Sequence, residues 1–181
     1  MNFSSRMHAS LDQTISVTNE HGVTFRRSKA FKAMGPSVFY WFPNLEKLAN
    51  MTPDGMKKHF ITEIGGMPQT CSHLSLGFTD LTYVRIGDPK TDSPKLSTTR
   101  LPRDTEIRTI RVVLGKSSVR QILFETEEPY EIFKAGIDSE DNKSTVVSRE
   151  QFEVNKGEKL VGMFAKHYAQ ISTVGFIVAN V

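Results

Sequence analysis

The sequence predicts an all-β domain built from three similar antiparallel units, and three observations carry that prediction. First, one apolar pattern recurs three times, as Cys71, Leu74 and Leu76, as Val119, Ile122 and Phe124, and as Ile171, Val174 and Phe176. The starts lie 48 residues apart (71 to 119) and then 52 apart (119 to 171), a period that marks repeated supersecondary units stacked on a shared core. Second, each start is preceded by a strand opening eleven or twelve residues earlier, at Phe60, Ile107 and Leu160. The segments between are turn-forming, with Gly65, Gly66 and Pro68 in the first unit and Gly115 in the second, so each pair reads as a hairpin. The third turn, over 165–168, is less marked. Third, Tyr83, Val84 and Ile86 before Gly87 answer Tyr130, Ile132 and Phe133 before Gly136, an offset of 47 at the tyrosines (130 − 83). The third unit ends with the chain and lacks this piece. Three such units form the faces of a prism or the lobes of a trefoil.

The elements follow in order. Residues 1–13 are polar and read as an N-terminal arm that an outside contact would hold in place, since termini stay disordered unless tied down. Residues 14–181 read as one β-rich domain, a length ample for a single core. Thr14 to Thr18 alternates apolar and polar as a strand should, 19–22 make a turn, and Val23 opens a return strand. Residues 26–32 hold Arg26, Arg27, Lys29 and Lys32, the densest basic segment, and read as a solvated connector. The run 37–42, Ser-Val-Phe-Tyr-Trp-Phe, is the most aromatic in the chain. Its alternation sets Tyr40 and Phe42 on one face and Phe39 and Trp41 on the other. Burial of both faces is the expectation, and exposure of either would mark a binding surface.

A short helical insertion follows near 44–59, absent from the other two units. Asn44 can cap a helix from Leu45, and Thr52 can cap a second that opens on Pro53, a residue suited to the first helical position. Polar loops at 88–94 and 138–144 occupy matching places in the first two units.

Composition bounds the function. Net charge is +3, too small a field to argue for nucleic acid. No apolar run approaches the roughly 20 residues that cross a bilayer, and the first residues have no signal-peptide core. The single cysteine excludes an internal disulfide and suits a reducing compartment. The expected location is therefore intracellular and cytoplasmic. Cys71 itself falls on a core position of the repeat and reads as a small buried hydrophobe.

The chemistry-bearing motifs fail on inspection. Gly115-Lys116-Ser117 ends like a phosphate-binding loop, but Ile110 stands where that loop needs glycine and a strand follows where it needs a helix. The oxygens of Asp138, Glu140 and Asn142 suggest a calcium loop, yet Lys143 replaces its glycine and Arg149 its bidentate glutamate. The five histidines have no ligand spacing. The sequence predicts neither catalysis, nor cofactor, nor metal.

The closing segment Gly157-Glu158-Lys159-Leu160-Val161-Gly162, followed by Ile171-Ser172-Thr173-Val174-Gly175-Phe176, resembles the last strands of the jacalin-related lectins. So do Ile107 to Val112 and their partners Val119 to Phe124, which makes the resemblance clearest over 101–181. It implies a β-prism of three four-stranded sheets, in accord with the three-fold repeat. It also implies a sugar loop, Gly-x-x-x-Asp, between the last two strands. Here Tyr168 falls at the loop glycine and Ser172 at the aspartate. A charged acceptor binds hydroxyls roughly twice as strongly as a neutral one, so the simple monosaccharide site is degenerate. The first expectation is accordingly a non-catalytic module that binds protein partners as a subunit of a larger assembly. The alternative is a carbohydrate-binding module that takes a glycan at Lys166, His167, Tyr168 and Ser172, with Tyr168 stacked on the sugar.

Overall fold

The computed structural model describes residues 1–33, 40–87, 97–128, 130–137, 146–167 and 170–180. In chain order the elements are α1 (Phe3–His8), β1 (Ile15–Thr18), β2 (Thr24–Arg27), β3 (Phe31–Lys32), α2 (Leu45–Ala49) and α3 (Pro53–Lys58). There follow β4 (Ile61–Gly66), β5 (His73–Phe78), β6 (Tyr83–Gly87), β7 (Ser97–Arg100), β8 (Thr109–Gly115), β9 (Val119–Glu125) and β10 (Glu131–Gly136). β11 (Val146–Glu153), β12 (Glu158–His167) and β13 (Ile171–Asn180) complete the chain.

Two of the three sheets have the same topology, β6-β5-β4-β7 and β10-β9-β8-β11, all antiparallel. In each, the third strand flanks the second and the fourth returns beside the first. The last unit contributes only the hairpin β12–β13, and the N-terminal residues complete its sheet. β2 and β3 run in succession along the outer edge of β13, where a third strand would lie, and β1 pairs β2 beyond them. Trp41 forms a bridge with Ala165 on the free edge of β12, the place of the fourth strand. The missing piece of the third copy is thus supplied from the other end of the chain.

The repeat residues are the core. All nine are at most 2% exposed, and they belong to one cluster enclosed by the three sheets. A sharper trace of the repeat lies at Gly87 and Gly136. Both adopt φ near +80°, and a Cβ at either would sit within 2.0 Å of a carbonyl oxygen, that of Ser72 or Arg120. Those carbonyls follow directly on Cys71 and Val119, the starts of the first two units, so the close approach is itself repeated and only glycine fits it.

A second core covers the outer face of β12–β13. Val161, Phe164, Ile177 and Ala179 pack there against Met7 of α1, Phe25 of β2, and Leu48 and Met56 of the helical insertion. The arm is held from within the chain, where an outside contact was expected. Arg27 is fully buried and its Nη2 donates to the carbonyls of Ala9, Ser10 and Gln13 at 2.8, 3.1 and 3.3 Å. Burial lowers its pKa to about 10 against the attraction of Asp12, so it stays charged at neutral pH.

The basic segment is likewise structural and no solvated connector. Arg26 grips Glu158 through two bonds of 2.9 and 2.6 Å and lies 4.6 Å from the centre of the Phe152 ring. Lys29 pairs with Glu150 at 2.6 Å. With these charges spent internally, the segment offers little to a nucleic acid. Of the two expected helix caps, Thr52 accepts from the Gly55 amide. Asn44 makes no cap bond and turns its amide to the carbonyl of Val161 instead, tying the insertion to β12. The polar loops at 88–94 and 138–144 lie outside the described residues.

Candidate functional site

Of the expected site residues, Lys166, His167 and Ser172 sit at one end of the prism, at the end of the β12–β13 hairpin. That end is fastened to its neighbours by backbone bonds. The Ile171 amide donates to the Cys71 carbonyl at 2.8 Å, and the Gly136 amide to Met67 at 3.0 Å. Cys71 adds a thiol bond to the Ala135 carbonyl at 3.4 Å. Burial pushes its thiol pKa up to about 12, which makes it a packing group and removes it from nucleophilic roles. The hairpin end is therefore tied to the β4–β5 turn, which is itself tied to the end of β10.

Within it, Lys166 is 7% exposed and pairs across the hairpin with Thr173. His167 and Ser172 are half-buried. The Ser172 hydroxyl donates to the Lys166 carbonyl at 3.0 Å, so only its oxygen lone pairs remain for a ligand. Ser172 also bulges the strand, for the pairing moves from Lys166 with Thr173 to His167 with Ile171 and skips it. Tyr168 lies outside the described residues. His167 Nδ1 is sealed from solvent and finds no partner among the described residues.

The sequence reading missed one residue here. Trp41 is 59% exposed, against the expected burial of both faces of the aromatic run. Its neighbours turn the other way, onto Phe164: the Phe42 ring stacks on it at 4.7 Å and Tyr40 approaches edge-on at 6.1 Å. The alternation of the run was the available signal, since it sets Trp41 opposite Tyr40 and Phe42. What it could not give was the register against β12.

A cleft of about 280 Å³ opens at the opposite end of the prism, between Phe60, the 103–107 linker and Lys159. The Lys159 ammonium lies 4.2 Å from the centre of the Phe60 ring and donates to the Met56 carbonyl. Burial lowers its pKa to about 8. No group of three or more metal-ligating side chains occurs among the described residues, and no described helix is long and apolar enough to cross a membrane.

No family model matches the chain, and no curated protein matches it in sequence. Solved structures do match it in fold. A mannose-binding lectin from Champedak superposes with a TM-score of 0.55 at 11% identity, over 92% of this chain and 96% of the lectin. Calsepa lectin, solved with a biantennary N-glycan, gives 0.57 at 14% identity over 86% and 96%. PirB gives 0.60 at 15% identity over 87% of this chain, which spans 38% of the PirB chain. The architecture is the jacalin-like β-prism.

Proposed function

We propose that this chain is a non-catalytic carbohydrate-binding module whose sugar site is the β12–β13 hairpin end. The observation that carries the reading is the fold itself. Two lectins, one mannose-binding by name and one solved with an N-glycan, share the β-prism over nearly their whole length. The chemistry of the end supports it. Lys166 and His167 supply donors, Ser172 an acceptor and Tyr168 an aromatic ring, the mixture of polar groups and flat apolar surface that a sugar requires. The missing aspartate costs one charged acceptor, so affinity for a single monosaccharide is low and a larger glycan is the ligand.

A glycan-array screen of the purified chain tests this, with mannose-bearing and biantennary N-glycans as the first probes. Saturable binding that Tyr168→Ala and Ser172→Ala each weaken is the expected result. A blank array from folded protein rules the reading out.

A protein-interaction role in a larger assembly is the second reading. It is favoured by Leu81, which is 87% exposed at a hairpin tip in the left-handed conformation (φ 64°), an arrangement a free surface gains nothing from. Its test is a stoichiometric partner that co-purifies with the native chain and is lost on Leu81→Asp.

A further inference from the structure

We infer that Trp41, brought to the hairpin end by the N-terminal half of the chain, is the stacking platform for one hexopyranose ring of the glycan. The inference rests on the carbohydrate-binding reading and adds to it a residue outside the C-terminal loop.

Three observations place it. Trp41 is locked to β12 by a reciprocal pair of backbone bonds, its amide to the Ala165 carbonyl at 2.7 Å and the Ala165 amide to its carbonyl at 3.0 Å. Residues paired in this way carry their side chains on the same face, and His167, two places beyond Ala165 on β12 with the bulged residue on β13 opposite, shares that face. Trp41 and His167 are therefore diagonal cross-strand neighbours, roughly 7–8 Å apart, a spacing that one sugar ring bridges. The third observation is the exposure. Tryptophan gains more than any other side chain from burial, and both flanking aromatics are anchored on Phe164. The backbone here is thus fixed on both sides while the indole is left 59% exposed.

The chemistry is complementary. A hexopyranose has an apolar C–H face and a hydroxylated rim. Trp41 meets the first. The imidazole of His167 hydrogen-bonds a rim hydroxyl, and the free lone pairs of Ser172 accept from another. Because the backbone that carries the platform is pinned before the ligand arrives, little backbone entropy is lost on binding. It also replaces part of what the absent aspartate would have contributed.

The chain has one tryptophan, so its fluorescence reports this position alone. The experiment titrates an array-positive glycan into the full chain and follows the indole emission, with calorimetric affinities for wild type, Trp41→Ala and Trp41→Phe. A saturable emission change is expected, with affinity reduced at least tenfold in Trp41→Ala and largely recovered in Trp41→Phe. Unchanged melting curves for both variants would confine the effect to binding. If the glycan binds Trp41→Ala as tightly as wild type and leaves the emission unmoved, the platform is wrong while the lectin reading stands. If no glycan binds the wild-type chain at all, both fall together.

Discussion

The sheet that carries β12 and β13 and the sheet that carries β8 and β9 are two copies of one design, and they are finished differently. In the second, burial follows the strand period along the edge strand β11. β11 alternates exposed and half-buried positions along most of its length, and Arg111 on β8 lies open, paired with Glu125. In the first, seven consecutive residues of β12 and seven of β13 are buried, because the N-terminal cap covers the outer face while the prism core covers the inner one. A hairpin covered on both faces cannot shift its register without dislodging one core or the other. The candidate sugar site stands at the end of a hairpin covered on both faces, where preorganised side chains are well held.

The largest effect separates the prism core from everything else. Ile122→Asp and Val174→Asp each place a carboxylate at a position that is 0% exposed. An unpaired buried charge costs several kcal/mol, a large share of the stability of a domain this size. Neither variant should show a cooperative thermal transition by circular dichroism. A cooperative melt in either would break the account of the repeat as core.

Arg27→Leu sharpens the comparison, since it attacks the cap alone. Removing the guanidinium strands the carbonyls of Ala9, Ser10 and Gln13, at a cost of about 3 kcal/mol. Hydrogen exchange should then accelerate in α1 and β1 while the amides of β8 and β9 keep their protection. Uniform acceleration across both sheets would mean that cap and prism unfold as one unit.

A smaller effect lies where the insertion meets the first unit. His59 stacks on Phe78 at 4.2 Å beside the Lys47–Asp80 pair. Burial, with help from Lys47, lowers its pKa from 6.5 to about 4, against the pull of Asp80. The folded state thus binds the proton more weakly than the unfolded chain. Stability is at its full value above pH 6.5, falls as the pH drops from there, and levels off near pH 4 after a loss of up to about 3 kcal/mol. His59→Phe keeps the ring contact and should flatten that stretch of the pH–stability curve. An unchanged slope would place the titration elsewhere.

These regions also differ in how far the sequence exposes them. The prism core is written locally: each triplet keeps a fixed spacing within six residues, and the glycines that end β6 and β10 fall 16 (71 to 87) and 17 (119 to 136) residues after the unit starts. The cap is not. Arg27 sits in a run of basic residues that looks solvated, and only the fold brings the carbonyls of the arm around it. The two-core hairpin reads as an ordinary strand pair because the residues that cover its outer face lie more than a hundred positions away. At the proposed site, Ser172 and His167 are expected from their loop. Trp41 was visible as an oddity of alternation, but its register against Ala165 is a long-range fact that no local pattern encodes.

The central claim is that the ligand sits at the β12–β13 end, and hydrogen-exchange mass spectrometry with and without an array-positive glycan tests it most directly. Protection is predicted across 40–42 and 165–174, with the 101–108 linker and the cleft beside Lys159 unchanged. Protection confined to that opposite cleft, with the hairpin tip unaffected, would contradict it.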